Sequence, residues 1–545
     1  MADSTNRDSA GPPRRARAFP RHHDLMVFGV ALGLLLWMAP SLANYLNNPD
    51  HGYQLSLARL VTLGGFPFID QIFHYGPLVA WSSALVLWLS GGLIGETLLC
   101  ATGYAAALTC LANTARARLG FLAGWLVPLV ALLFLARFYK WYFWLFPAIT
   151  LVLYNRYLER RMSTARSLFL AGVVAGSCAL FRLDLGVVLL TFWAIVALTG
   201  RVGWFQKGAA VGALWVGVGF LLPMIVWFGV LGSVGGIGAV QGYLSATLDG
   251  GSGVVGGWSH GAAPFDIHAP FSSASGLALA LWVLPIGLLA GLAIGGWRSL
   301  HQTGRPQLDA RFLAGASILG IGLLPQAFYR ADGQHLLQAL PPFFLVVPLV
   351  ARELLREFGL HGPRAAQTGR LWLAAAGMLL VVAGIGVRSY GGWDLAPLDS
   401  NGFARLEQTW RGLGSESSYP IARLVRQITS ITPVDARILV VPIVPQVYYF
   451  AERSMSGLLN QYAPHILDDP KWRRLNFEHV LAHPPAAVLV TAVWLNPQSR
   501  DAQILRDSHP ELDAYLRSHY SVMTQRMTQR GSWRILRPDP RRRPK

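Results

Sequence analysis

Apolar stretches close to the ~20 residues needed to span a bilayer recur from about Asp24 to Val387. They constrain this chain more than any motif does. Hydrophobic residues make up 53% of the 545 positions and charged residues only 14%, with a mean hydropathy of +0.39. A soluble protein of this length needs far more charge to cover its surface, so most of the chain is expected to be solvated by lipid. The net charge of +18 invites a nucleic-acid partner. The arginines, however, cluster in short loops suited to an anionic cytoplasmic leaflet, and no nucleic-acid partner is expected. Cys100, Cys110 and Cys178 all fall in apolar spans, which argues against a disulfide framework or a zinc motif.

Residues 1–23 read as a basic cytoplasmic tail. The span that follows is long, carries Trp37 and Pro40 and lacks a small-residue cleavage site, so it is expected to be a retained first helix. Basic loops at Arg14–Arg21, Arg156–Arg166, Arg201–Lys207, Arg298–Arg311 and Arg352–Arg370 alternate with loops poor in Lys and Arg. The latter lie at 45–76, around Arg182-Leu-Asp184, at 231–270 and at Tyr329–Gln338. This alternation predicts crossings near 168–181, 185–200, 208–230, 272–296, 312–328, 340–351 and 371–387. About three more fit into 77–155, for a transmembrane domain over 24–388 of about 11 helices, within about 10–13. The Arg137-Phe-Tyr-Lys140 break in 119–155 is either re-entrant or interfacial.

Composition changes near Arg388. Residues 400–430 suggest an amphipathic helix, and Arg437–Pro442 and Ala486–Thr491 are short β-rich apolar runs of the kind that form buried parallel strands. With helical stretches at Asp469–Ala482 and Asp501–Tyr520, residues 389–536 read as a small extracytoplasmic α/β domain, followed by a basic tail at 537–545.

The polar segment Asn44–Tyr53, running on to Asp70–Pro77, follows the first span directly. It holds carboxylates with imidazole and phenol groups close by. Water-facing acids held against a bilayer surface are what chemistry on a lipid headgroup requires. The order Asp50-His-Gly-Tyr-Gln-Leu-Ser-Leu-Ala-Arg59, Gly64-Gly-Phe-Pro-Phe-Ile-Asp70, His74-Tyr-Gly-Pro-Leu78 resembles the first extracytoplasmic loop of the polytopic GT-C glycosyltransferases. These are the mannosyl-, arabinosyl- and aminoarabinosyltransferase-like enzymes that take sugars from polyprenyl-phosphate donors. The Gly-rich span Ala171–Asp184 resembles the family's helix ending in a basic residue, and Ile438–Tyr449 with His483–Val488 resemble its extracytoplasmic domain.

That resemblance implies a base at Asp50, taking the acceptor hydroxyl proton as the polyprenyl phosphate leaves. The same Asp is also placed to cap a helix beginning near His51. His51 stands where the family often has a second carboxylate, so the sequence departs from the acidic pair that would bind a metal. His51, His74 and His335 either hold a divalent metal or make ordinary hydrogen bonds to protein and substrate, and the metal stays unknown. Asp70 either positions substrate or closes a turn. Arg330 suits a phosphate oxygen, leaving Asp332 and His335 for sugar or acceptor; the alternative is an Arg330–Asp332 surface pair. Arg182 with Asp184 poses the same choice, and the resemblance makes Arg182 a candidate for the donor phosphate. Trp141, Tyr142, Phe143 and Trp144 are expected in an interfacial belt. Loop 231–270, with Trp258, His260, Asp266 and His268, is either a lid or a connector.

The function expected is therefore sugar transfer from a polyprenyl-phosphate donor to a lipid-linked, glycan or protein acceptor, at the outer face of a bacterial inner membrane. A flippase for a lipid-linked glycan is the alternative. It accounts for many spans and basic loops but not for a first-loop acid or an external α/β domain. A polymerase or ligase differs only in using a pyrophosphate-linked donor. The chain has no Walker loop, dinucleotide fingerprint or serine-hydrolase elbow in a convincing context.

Overall fold

The computed structural model describes residues 20–42, 49–73, 75–90, 92–199, 209–257, 268, 273–329, 333–357, 420–442, 444–460, 462, 469–491, 501–528 and 531–541. They form a helical membrane domain and a small C-terminal α/β domain. The helices are α1 (Pro20–Leu42), α2 (Pro49–Thr62), α3 (Pro77–Ser90), α4 (Leu93–Leu119), α5 (Ala123–Leu132), α6 (Tyr142–Leu158), α7 (Thr164–Phe181) and α8 (Leu183–Thr199). Then come α9 (Ala209–Gly257), α10 (Ser273–His301), α11 (Gly304–Tyr329), α12 (Gly333–Gln338) and α13 (Phe343–Glu357). Six of the described helices are long and apolar enough to cross a membrane: α1, α4, α7, α9, α10 and α11. The crossing expected at 371–387 lies outside the described residues, as do 400–419.

Charge sorts to the two ends of the bundle. At one end Arg118 bonds Asn155 Oδ1 at 2.6 Å and Asp309 Oδ1 at 3.0 Å. Arg352 reaches Asp309 and Glu353 at 3.1 and 2.8 Å, Arg298 pairs with Glu353, and Arg116 meets Asp24 at 3.1 Å. The start of α1 and the end of α4 therefore share this end with α6, α10, α11 and α13. The other end carries Asp50, Glu96 and Arg182. In between, α7 presents small residues to α9: a methyl on Gly172 would lie 2.1 Å from the Val216 carbonyl oxygen, and one on Gly176 2.3 Å from that of Phe220. Such close backbone approach is how helices pack where lipid supplies no hydrophobic drive.

Three expectations are corrected. The first helix of 77–155, a region expected to hold about three crossings, is not one of them. The Gly76 amide bonds the Phe181 carbonyl at the end of α7, and α4 opens with Glu96 at that same end, so α3 carries the chain across one end of the bundle. Its 14 residues are also too few to span. The stretch 231–270 is not a loop throughout, because α9 continues to Gly257 past a break at Gly236, where φ is 67°; Trp258, His260 and Asp266 lie outside the described residues. The aromatics of 141–144 do not form a belt. All four are buried, and Trp144 Nε1 donates to the Leu337 carbonyl at 2.9 Å, because α6 starts sunk among α4, α7 and α12.

The C-terminal sheet has strands β1 (Arg437–Val441), β2 (Ser454–Met455), β3 (Ala487–Thr491), β4 (Tyr520–Thr528) and β5 (Gly531–Pro538), in the order β2-β1-β3-β5-β4. The two apolar runs pair in parallel as expected, Leu439 opposite Val488. The antiparallel β4–β5 hairpin was not foreseen, and β5 takes in Arg537 and Pro538, which the sequence assigned to a tail. This domain docks on α2. Asn460 Nδ2 donates to Ser56 Oγ at 2.7 Å, and the Ile72 amide to the Leu458 carbonyl at 3.0 Å.

Candidate active site

Asp50 sits within the first turn of α2, whose helix already begins at Pro49, rather than ahead of the helix as a cap. A helix N-terminus favours a carboxylate there. Its Oδ2 receives the Arg137 guanidinium and lies 3.3 Å from the Tyr139 hydroxyl, while Arg137 Nη1 also reaches that hydroxyl at 3.2 Å. Both partners come from the break before α6. The chain leaves α5, runs on to Arg137 and makes one tight turn, Phe138–Lys140. Tyr104 of α4 fixes that turn by donating to the Arg137 carbonyl at 3.1 Å.

Below Tyr139 lies His51, 2% exposed, its ring stacked on the phenol at 4.7 Å and 22°. His51 Nε2 is 3.1 Å from Oε1 of Glu96, a fully buried residue in the first turn of α4. Gln54 donates to the same oxygen at 3.1 Å and to Ser83 at 2.7 Å. Glu96 Oε2 has no partner among the described residues. His51 is thus engaged with Glu96 and Tyr139.

The turn that follows Arg137 ends in a second cation, Lys140, and a third lies close to it. Lys140 Nζ lies 5.5 Å from the Tyr75 ring centre and 5.8 Å from that of Phe143. The Arg182 guanidinium lies 5.4 Å from each of the same two rings. Two cations that share aromatic faces are held by the ring quadrupoles rather than by paired carboxylates alone. Arg182 does bond Asp184 at 2.9 Å. Burial pulls the Arg182 pKa down, but Asp184 and the phenols of Tyr75 and Tyr142 more than offset it and raise it overall, so the guanidinium keeps its charge.

Of the residues expected from the sequence, Asp50, His51 and Arg182 come to this end together. Asp70 closes a turn, accepting from the Phe66 amide at 2.6 Å. His335 lies half-buried in α12. His74, Arg330 and Asp332 lie outside the described residues. Among the described residues no group of three or more His, Cys, Asp or Glu side chains is arranged to hold a metal. The sequence reading missed Arg137, Tyr139, Lys140 and Glu96 as site residues. Two signals were there: Arg137 and Lys140 interrupt an otherwise apolar stretch, and Glu96 is the one acid between Asp70 and Glu159.

No family model and no curated protein matches the chain. Several solved structures are similar to it, among them these two. ArnT from Cupriavidus metallidurans, bound to undecaprenyl phosphate, aligns at 14% identity over 94% of this chain and 97% of its own, with a TM-score of 0.46. The Archaeoglobus fulgidus oligosaccharyltransferase, in complex with Zn and sulfate, aligns at 12% identity over 91% and 71%, with a TM-score of 0.43.

Proposed function

We propose that this chain is an integral membrane glycosyltransferase that moves a sugar from a polyprenyl-phosphate donor to a lipid-linked, glycan or protein acceptor. The observation that carries the reading is the pairing of Asp50 with Arg137 on a turn whose Lys140 shares the Tyr75 and Phe143 rings with Arg182, all at one end of a membrane bundle. The acceptor hydroxyl oxygen attacks the anomeric carbon as the bond from that carbon to the phosphate oxygen breaks. The hydroxyl proton passes to Asp50, and the polyprenyl phosphate leaves with the bonding electrons. Attack opposite the leaving group inverts the anomeric centre. Lys140 and Arg182 offset the charge that gathers on the departing phosphate, the task for which fixed cations in a partly dry site are best suited.

The active end would face the extracytoplasmic side of a bacterial inner membrane, with the N-terminus cytoplasmic. This orientation is supported by the arginines at the opposite end, among them Arg116, Arg118, Arg298 and Arg352, since cytoplasmic ends carry such an excess. The α/β domain, seated on α2, would help to bind the acceptor.

The test is sugar transfer in proteoliposomes given a panel of radiolabelled polyprenyl-phosphate sugars and a glycolipid acceptor extract, with Asp50→Asn in parallel. Label reaching acceptor with wild type and not with the variant supports the reading. Full activity in Asp50→Asn removes the base, and label that changes leaflet without transfer makes the protein a flippase.

A further inference from the structure

We propose that Arg137 serves the base and the donor phosphate in turn: it holds Asp50 in this structure, and passes to the phosphate when a donor enters, uncovering the base. The proposal rests on the reading of the site given above and adds an order of events, donor before acceptor.

Three observations carry it. First, Asp50 Oδ2 receives the Arg137 guanidinium with the Tyr139 hydroxyl only 3.3 Å away. A carboxylate oxygen so engaged by a cationic donor is a poor acceptor for a substrate proton, because a base must lie within hydrogen-bond reach of the proton it takes. Second, Arg137 stands on the same tight turn as Lys140, whose ammonium shares the Tyr75 and Phe143 rings with Arg182. Arg137 therefore stands on the turn that joins the carboxylate to the two cations. Third, the turn is anchored and the side chain is long. Tyr104 holds the Arg137 carbonyl at 3.1 Å, so the exchange needs side-chain rotation and no movement of backbone. A guanidinium has five donors in a fork matched to phosphate as well as to carboxylate, and the donor phosphate gains a second negative charge as the sugar leaves.

The exchange has a consequence that a fixed structural ion pair lacks. If Arg137 has to leave Asp50 to reach phosphate, removing the Asp50 charge releases it, and phosphate binding tightens although a pocket residue has been lost. Binding of a long-chain polyprenyl phosphate to the purified full chain in detergent is measured for wild type, Asp50→Asn, Arg137→Met and the double variant, with the unphosphorylated polyprenol reporting tail binding alone. Arg137→Gln replaces Arg137→Met if the latter fails to fold. The expected result is about three- to tenfold tighter binding in Asp50→Asn, weaker binding in the Arg137 variant, and loss of the Asp50→Asn gain when Arg137 is also replaced. Equal gains in both backgrounds reduce the effect to general repulsion and overturn the proposal, as does unchanged or weaker binding in Asp50→Asn. Folded wild type that binds polyprenyl phosphate no better than polyprenol overturns the glycosyltransferase reading itself, and the exchange with it.

Discussion

Gly52 of α2 lies directly against Gln446 of the C-terminal domain: a methyl on Gly52 would come within 2.5 Å of the Gln446 Cβ and 2.7 Å of its backbone nitrogen. Two residues before Gly52, the same helix carries Asp50. The α/β domain is thus seated on the helix that holds the proposed base, and seated so closely that no side chain fits between them. Gly52→Ala is expected to push the domain off α2 at a cost of about 1–3 kcal/mol, typical of overpacking. The check is a thermal melt beside a transfer assay, in which both the midpoint and the rate should fall.

Lys140 is 2% exposed among aromatic rings, so Lys140→Met should fold. Loss of a charged hydrogen-bond donor to phosphate is worth about 1.5–3 kcal/mol, which corresponds to a rise of about tenfold to 150-fold in the donor KM. Steady-state kinetics with varied donor measure it, and an unchanged KM removes Lys140 from the donor site.

Glu96 touches His51, which stacks on Tyr139, so under the proposed function its effect on the base is expected to pass through these two rings. Glu96→Ala leaves the buried His51 Nε2 without its acceptor, a cost of about 1–3 kcal/mol, and loosens the ring on which Tyr139 stacks. Its kcat should fall while the donor KM holds. Glu96→Gln keeps an oxygen facing His51 and should recover most of the loss. Equal kcat in both variants would show that the acceptor oxygen is not what matters.

The His479 imidazole is held below its ordinary 6.5, first by burial and then by His483 and Arg437, while its bond to the Ser456 carbonyl and the Asp70 charge act the other way. Because the folded pKa is the lower one, the unfolded chain takes up the proton first as pH falls. Stability is therefore fully present above about 6.5 and declines as pH drops below it. Thermal midpoints at pH 7.5 and 5.5 should differ in wild type, and by less in His479→Gln.

At the far end of the bundle the Arg118 side chain is wholly buried against Asp309. Arg118→Met is expected to destabilise by about 3–5 kcal/mol, since it leaves a buried carboxylate with less compensation. Arg118→Met with Asp309→Leu should recover part of that. Denaturation of the three proteins in one detergent decides it.

Much of this protein could be read along the chain. Asp50 stood out because it is an acid in a short polar loop between apolar stretches, and β1 and β3 because buried parallel strands need continuous apolar runs. The β4–β5 hairpin was hidden because Tyr520–Thr528 mixes Arg, Gln and Thr through its length and shows no such run. The partners of Asp50 were hidden for another reason. Arg137 is 87 residues away from it and Glu96 is 45 away from His51, and nothing in a local pattern says which distant charges will meet.

Hydropathy and the spacing of basic loops, properties of neighbouring residues, determined that the chain is a multi-pass helical protein with a small α/β domain behind it. Only the tertiary structure decided that α3 lies across the bundle end instead of spanning, and that the aromatics before and within α6 are core. It alone pairs Arg137 with Asp50 and sets Lys140, from the same turn, against the two aromatic rings that Arg182 also faces. A membrane span is selected by the solvent it meets, which sequence records residue by residue. A site is selected by which helix ends coincide in space, and that follows from packing across the whole bundle.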